Sequence, residues 1–452
     1  MFKFVQHFHK NLFSKSNLTY HKSLLLLAWP MILSNITVPL LGLVDTAVIG
    51  HLDNSFYLAG VAIGSMVISL IFWLSGFLRM STTGLAAHAF GAQDKLEQMA
   101  VLKKGLILSF GFSIFLLCLQ PPITYILQNH ITASNEALEQ AQIYFSIRIL
   151  SAPAALANLV LLGWMLGMQY AKGPFYLLLV ANITNIVLDV ILVVWLDFAV
   201  AGAAWASVAS DYISLIFGLM IVTKLLNKHS LSWSKTFIQP LTNIQETLSL
   251  NRDIFIRSLF LQICFAFITY YGGRLGDNVL AANAILLNFL LLVSFALDGV
   301  AYAVEAKVGE AKGQQNLRQL KLWVNISLFW GVLFSILYSL GFAVFGDELI
   351  ALLTDIPEVI ATAQNYVIWS VLLPMIAVFC FIFDGIFIGL TRAKDMRNAM
   401  IVSSIFGFFG VFLLLESWGN HALWAAMSSF MLLRGLTLIK RYHDLKRTGQ
   451  LI

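Results

Sequence analysis

Apolar residues in this chain fall in long uninterrupted runs, not in the alternation of a half-buried strand. Twelve runs can be drawn, at roughly 24–50, 57–86, 100–127, 138–168, 174–196, 200–226, 253–275, 279–306, 321–345, 359–390, 396–416 and 420–442. A helix rises about 1.5 Å per residue and a bilayer's hydrocarbon core is about 30 Å thick, so each run predicts one membrane-spanning helix. Spanning strands would read as short alternating segments. The first run, LLLLAWPMILSNITVPLLGLVDTAVIG, is not a plain anchor. Pro30 and Pro39 each remove a backbone donor, which predicts a helix that bends or can bend. Ser34, Asn35 and Thr37 put polar groups at mid-depth, and Asp45 puts a carboxylate inside the membrane. An intramembrane carboxylate is costly and marks a functional position.

Composition agrees with this pattern. Of 452 residues, 59% are hydrophobic and 11% charged, with mean hydropathy +0.82. A soluble chain carries about 25% charged residues. The chain reads as an all-α polytopic membrane protein. A net charge of +5 would suggest nucleic acid in a soluble protein, but here the bases sort by loop. Lys95, Lys103, Lys104, Lys172, Lys224 and Lys228 follow even-numbered runs in the first half, as do Lys307, Lys312, Arg392, Lys394 and Arg397 in the second. The opposite loops hold Glu136, Glu139, Asp197, Asp347, Glu348, Asp355 and Glu358, with Arg274 the exception. The positive-inside rule then places both termini and the 228–252 linker in the cytoplasm, and no nucleic-acid partner is expected. Residues 1–23 read as a cytoplasmic arm without a cleavage site, 24–227 as a first lobe, 253–443 as a second, and 444–452 as a tail. Cys118, Cys264 and Cys380 lie inside apolar runs without metal-ligand spacing, so they predict packing.

The chain repeats itself. AQIY at 141–144 returns as AQNY at 363–366, an offset of 222. At the same offset Gly163 meets Gly385, Gly167 meets Gly389, and Ala171-Lys172 meets Ala393-Lys394. Gly50 and Leu52 match Gly273 and Leu275 at 223, and Trp205 matches Trp424 at 219. Collinear matches predict two six-helix lobes. Six is even, so the lobes share one orientation and a pseudo-twofold axis along the membrane normal, a known transporter architecture.

Polar groups inside the runs are the candidate chemistry. In the first half these are Asp45, Asn185 and Asp189 at i, i+4, Ser207 and Asp211 at i, i+4, and Arg148 and Asn158 in the fourth run. Arg148 and Asp211 can pair, which would fix helix register. Asp45 and Asp189 then lack an arginine, so at least one carboxylate needs a proton or a cation. The second half offers Asp298, Glu305 and Asp384 toward the cytoplasmic ends, suited to structure, gating or substrate contact. No HExxH, no GxxxxGK and no Cys/His cluster is present, so neither an enzyme nor a cofactor is expected. Without a nucleotide site, transport would run on an ion gradient. A proton moved inward supplies about 2.3 kcal/mol per 100 mV.

PMILSNITVPLLGLVDTAVIGHL at 30–52, FLRMSTTGLAAHAFGA at 77–92, SAPAALANLVLLGWMLGMQYA at 151–171 and LDGVAYAVEAKVGEAKG at 297–313 resemble the DinF branch of the MATE (multidrug and toxic compound extrusion) transporters. The resemblance covers nearly the whole chain. It implies twelve transmembrane helices in two six-helix lobes. It also implies efflux of amphipathic, mainly cationic small molecules by a monomer in a bacterial inner membrane, among its lipids. In proton-coupled members the first lobe holds an aspartate in helix 1, Asn-x-x-x-Asp in helix 5 and a small hydroxyl residue in helix 6, which match Asp45, Asn185 with Asp189, and Ser207. A bending proline in helix 1 matches Pro30. Asn35, Arg148, Asn158, Asp211, Asp298 and Asp384 remain as cavity or supporting residues. Sodium is the rival ion, since Asp45, Asn185, Asp189 and Ser207 also form an oxygen-ligand set. The sodium branch's second-lobe acids are not reproduced, with Gln262 near one position and Asp384 outside the local pattern. A flippase for lipids or lipid-linked cargo is the alternative.

Overall fold

The structure is a computed structural model that describes residues 18–50, 54–131, 133–233 and 243–452, without the side chains of residues 37–47. The described residues form twelve long helices and no strand. They are α1 Leu18–Gly50, α2 Ser55–Gly91, α3 Lys95–Cys118, α4 Asn135–Gly167, α5 Lys172–Trp195 and α6 Ala199–Lys228. Then follow α7 Ile244–Leu275, α8 Asp277–Gly313, α9 Leu317–Leu353, α10 Pro357–Gly389, α11 Ala393–Trp418 and α12 Asn420–Arg447. A short helix, Gln120–His130, continues α3. From α2 to α12, all eleven are long and apolar enough to cross a membrane. The N-terminal arm before residue 18 and linker residues 234–242 lie outside the described residues.

By packing, the chain divides into two compact units, Leu33–Leu248 and Met1–Ile32 with Ser249–Ile452. The reading from apolar runs placed all of α1 in the first lobe. Packing assigns its first part to the second unit instead. The cause is local contact: Tyr20 meets Trp323 edge-on, Trp330 donates to His21 Nδ1 at 3.1 Å, and Gly299 faces Ala28 and Ile32. The division falls between Ile32 and Leu33, two residues beyond Pro30. The helix itself is continuous from Leu18 to Gly50 through both prolines.

Within each unit the repeat is visible in the backbone. α2 ends with Asp94 N–H donating to Ala89 O and Gln93 N–H to Phe90 O, a Schellman cap. α8 ends with Asn316 to Ala311 and Gln315 to Lys312, the same bonds displaced by 222. α4 and α10 close likewise, Tyr170 to Met165 and Gln169 to Leu166, then Arg392 to Phe387 and Thr391 to Ile388. The left-handed residues fall in register: Gln93 with Gln315, Gln169 with Thr391, and Asp197 with Gly419. The next helices start alike. Asp94 accepts from Leu96 and Glu97 N–H, and Asn316 accepts from Gln319 N–H.

Helix contact repeats too. A Cβ on Gly163 would come within 3.0 Å of Arg79 O on α2, and one on Gly385 within 3.0 Å of Ala301 O on α8. One turn on, Gly167 approaches Thr83 O and Ala87 N while Gly389 approaches Glu305 O and Gly309 N. Every partner is displaced by 222. These glycines let backbones touch, as small residues do in membrane helix pairs. The Trp match is weaker in environment, since Trp424 is 1% exposed and Trp205 is 46% exposed.

Gly163→Ala and Gly385→Ala should each cost about 1–3 kcal/mol, because the obstacle is backbone and cannot rotate away. Gly111→Ala, where nothing lies within 4 Å, should not. Thermal unfolding of the purified proteins in detergent measures this. Equal melting of Gly163→Ala, Gly385→Ala and Gly111→Ala would show that the close crossings carry no stability.

Candidate functional site

The polar candidates on α4, α5 and α6 fall in two places. In one, α5 presents Asn185 and Asp189 one turn apart, and each is 1% exposed. Ser207 on α6 is also buried, and Asn185 Nδ2 donates to its Oγ at 3.1 Å. Regular α-helix ends at Asp189, and Val190–Trp195 continues as π-helix, with Leu196 N–H reaching Ile191 O at 3.1 Å. A π-turn inserts one residue into a helix and is frequent beside functional positions. Around it Ile49, Val61, Tyr144, Val193, Val200, Ala203 and Ala204 form an apolar cluster. Asp189 thus sits at a change of helical register, one turn before Val193 of that cluster.

The second place lies between α4 and α6. Pro153 cannot donate to residue 149, and α4 tightens there into a 3-10 turn at Ile149–Ser151. Arg148 immediately precedes that turn. Its Nη1 donates to Asp211 Oδ2 at 2.7 Å and to Ser151 Oγ, and its guanidinium lies 5.2 Å from the Phe72 ring centroid. Asn158 Nδ2 donates to Asp211 O at 2.9 Å. Its Oδ1 is buried and has no hydrogen-bond partner among the described residues. These groups border a cavity of about 180 Å³ lined by Phe72, Ala155, Leu156, Asn158, Leu159, Leu162, Leu177, Leu178, Ala181, Asp211 and Ser214. An apolar cavity of about 150 Å³ accepts benzene. This one has room for a single ring.

Asp45 and Pro39 have side chains outside the described residues. Asn35 and Pro30 are half-buried on α1. Asp298 is half-buried on α8, and Glu305 on the same helix is buried.

The second unit holds an arrangement the sequence reading missed. Asp384 Oδ2 on α10 accepts from Arg257 on α7 and from Arg434 on α12. All three residues are buried, at 6%, 6% and 3% exposure. Both arginines lie inside apolar runs, and that was the available signal: a cation there needs an anion. Asn283 and Asn420 also exchange two bonds of 2.7 and 2.9 Å, and Trp424 Nε1 donates to Asn283 Oδ1 at 2.9 Å.

The sequence profile of the MatE family matches residues 30–191 and 254–413, one stretch in each half. The chain belongs to the MatE family and is a membrane transporter. It is 48% identical over 429 residues to the DNA damage-inducible protein F of Escherichia coli K12, covering 95% of this chain and 93% of that one. It is 22% identical over 360 residues to a probable multidrug resistance protein NorM of Oceanobacillus iheyensis, covering 77% and 79%. A crystal structure of a MATE protein in the bent conformation superposes with TM-score 0.87 at 20% identity, covering 94% and 96%. An outward-facing member of the MOP superfamily gives 0.85 at 20%, covering 94% and 96%. Fold and twelve-helix architecture are therefore those of the family.

Asp384→Leu takes the shared carboxylate away from two buried guanidinium groups and should cost about 3 kcal/mol or more. Adding Arg257→Met and Arg434→Met should recover much of that loss. Melting temperatures of the single and triple variants decide it. A triple variant less stable than the single one would mean the arginines hold the lobe by other means.

Proposed function

We propose that this chain exports amphipathic, mainly cationic compounds in exchange for protons taken up by carboxylates of its first lobe. The observation that carries the reading is the burial of Asp189 in a membrane-spanning helix, beside Asn185 and Ser207. A carboxylate at that depth holds its charge only at a cost, which a proton or a cation relieves. Two occupants competing for one carboxylate are the minimum needed for exchange. Asn185 offers both donor and acceptor, so it can serve either protonation state. Cargo shifts the equilibrium only by its difference in affinity for the two states. Asp45 is the second acid of this set and Pro30 the bending point in α1.

Division of labour between the lobes follows from charge. Asp384 has two arginine donors, which removes it as a cation ligand, so coupling is assigned to Asp45, Asn185, Asp189 and Ser207. The name of a relative, multidrug resistance protein, supports a broad cargo range. Relation to an Escherichia coli protein supports a bacterial inner membrane. Both termini are assigned to the cytoplasm. Burial, then Lys228 and Lys95, push the His229 imidazole below its ordinary range, so bases from the end of α6 and the start of α3 gather at one end of the lobe, as the positive-inside rule asks. The protein is assigned as a monomer without a cofactor. Sodium in place of protons is the second reading, favoured by the oxygen atoms of Asn185 and Ser207 next to Asp189.

Proteoliposomes loaded with a cationic dye test the exchange. A pH gradient without sodium should drive efflux, and Asp189→Asn should reduce it to the rate of empty liposomes while melting as wild type does. Asp384→Asn should lose efflux only in proportion to its loss of folded protein. Efflux driven solely by a sodium gradient at equal pH would transfer the coupling to sodium.

A further inference from the structure

The cavity bounded by α2, α4, α5 and α6 has an acid in its wall, yet that acid is already neutralised. Asp211 lines the space, and Arg148 donates to it at 2.7 Å with both side chains less than one-fifth exposed. Phe72, another lining residue, lies under the same guanidinium. Arg148 therefore touches two walls of the cavity while pointing its charge at Asp211. The remaining lining polar groups are neutral. Ser214 Oγ is spent on Leu177 O at 3.1 Å, and Asn158 Nδ2 on Asp211 O. Asn158 is 8% exposed, and its Oδ1 is left over as an acceptor without a partner among the described residues. The amide orientation follows from its bond, because only Nδ2 can donate to a carbonyl.

We propose that Arg148 is the residue that sets the charge preference of cargo: by cancelling Asp211 it makes this cavity a seat for an uncharged ring, and its loss would convert the cavity into a cation site. The inference rests on the transport reading above and adds to it a division of the cargo. The charged end belongs with the carboxylates of α1 and α5, and the ring belongs between α4 and α6, where Asn158 Oδ1 can accept from a hydroxyl or an amine. A bare carboxylate in this wall would act on a ring-borne charge through few atoms and little water, where a unit charge is far stronger than in bulk solvent. A pair that only braced α4 against α6 would not discriminate by cargo charge.

Two probes of nearly equal shape and opposite charge separate these roles, tetraphenylphosphonium and tetraphenylborate. Each presents single phenyl rings. Binding to the full chain in nanodiscs, read by equilibrium dialysis, gives a cation-to-anion affinity ratio for each variant, and unspecific partition into lipid cancels against empty discs. Arg148→Gln should raise the ratio about tenfold, the change that 1.4 kcal/mol produces. Asp211→Asn should lower it by a similar factor. Arg148→Gln with Asp211→Asn, and Arg148→Lys alone, should both stay near the wild-type ratio. Parallel loss of both probes in the single variants, with no change in ratio, would make Arg148 a brace and overturn the proposal. A wild type that binds neither probe would overturn the assignment of aromatic cationic cargo and this inference with it.

Discussion

Charge has nowhere to go inside a bilayer except to another charge, a proton or an ion. That single constraint organises both halves of this protein. A backbone spanning lipid satisfies itself by becoming helix. Side-chain charge has no such general solution, and each lobe solves it with its own residues. The first unit pairs Arg148 with Asp211 and buries Asp189 one turn from Asn185, which bonds Ser207. The second gives Asp384 two guanidinium groups. The same helical plan thus carries one lobe with Asp189 buried near Asn185 and Ser207, and one in which Asp384 is held by two arginines.

The duplication explains how two such different interiors share one frame. What repeats at a spacing of 222 is backbone: the caps of α2 and α8, the caps of α4 and α10, and the glycines that let α4 touch α2 and α10 touch α8. What does not repeat is chemistry. At that spacing Asn158 corresponds to Cys380, and Arg148 to Ser370. Close packing at the crossings constrains residue size on the buried faces and leaves the cavity-facing positions free to diverge.

Much of this was legible before any coordinates. Apolar runs predicted the helices because lipid demands continuous hydrophobicity, and most ends moved by a few residues, furthest at α7, which begins at Ile244 where the run began at 253, and at α3, which ends at Cys118 where the run ended at 127. Matching glycines predicted the repeat, and the crossings show why they match, since a Cβ there would meet backbone of the neighbouring helix. The Arg148–Asp211 pair followed from counting charges in the first half. Arg257 and Arg434 escaped because the count stopped at acids in the second half, and their distance in sequence from Asp384 hides the contact. The π-turn after Asp189 left no trace in composition, since VILVVW reads as ordinary apolar helix. The packing of the start of α1 with the second unit was also hidden: hydropathy reports that a helix is buried, not by which neighbours.

The Schellman caps carry an unused reserve. Gln93, Gln169 and Gln315 stand in the left-handed region with φ of 57, 62 and 53°, where a side chain is a burden and glycine is at ease. The Schellman bonds are made by main-chain groups, and at the first cap Gln93 Nε2 adds one to Phe90 O at 3.0 Å. These three helix ends take a backbone conformation that glycine adopts more easily, and none of the three glutamines lines the cavity beside Asn158 and Asp211. For anyone needing a sturdier form of this transporter, to crystallise it or to keep it through detergent, those turns are places where stability could be added without touching what it carries.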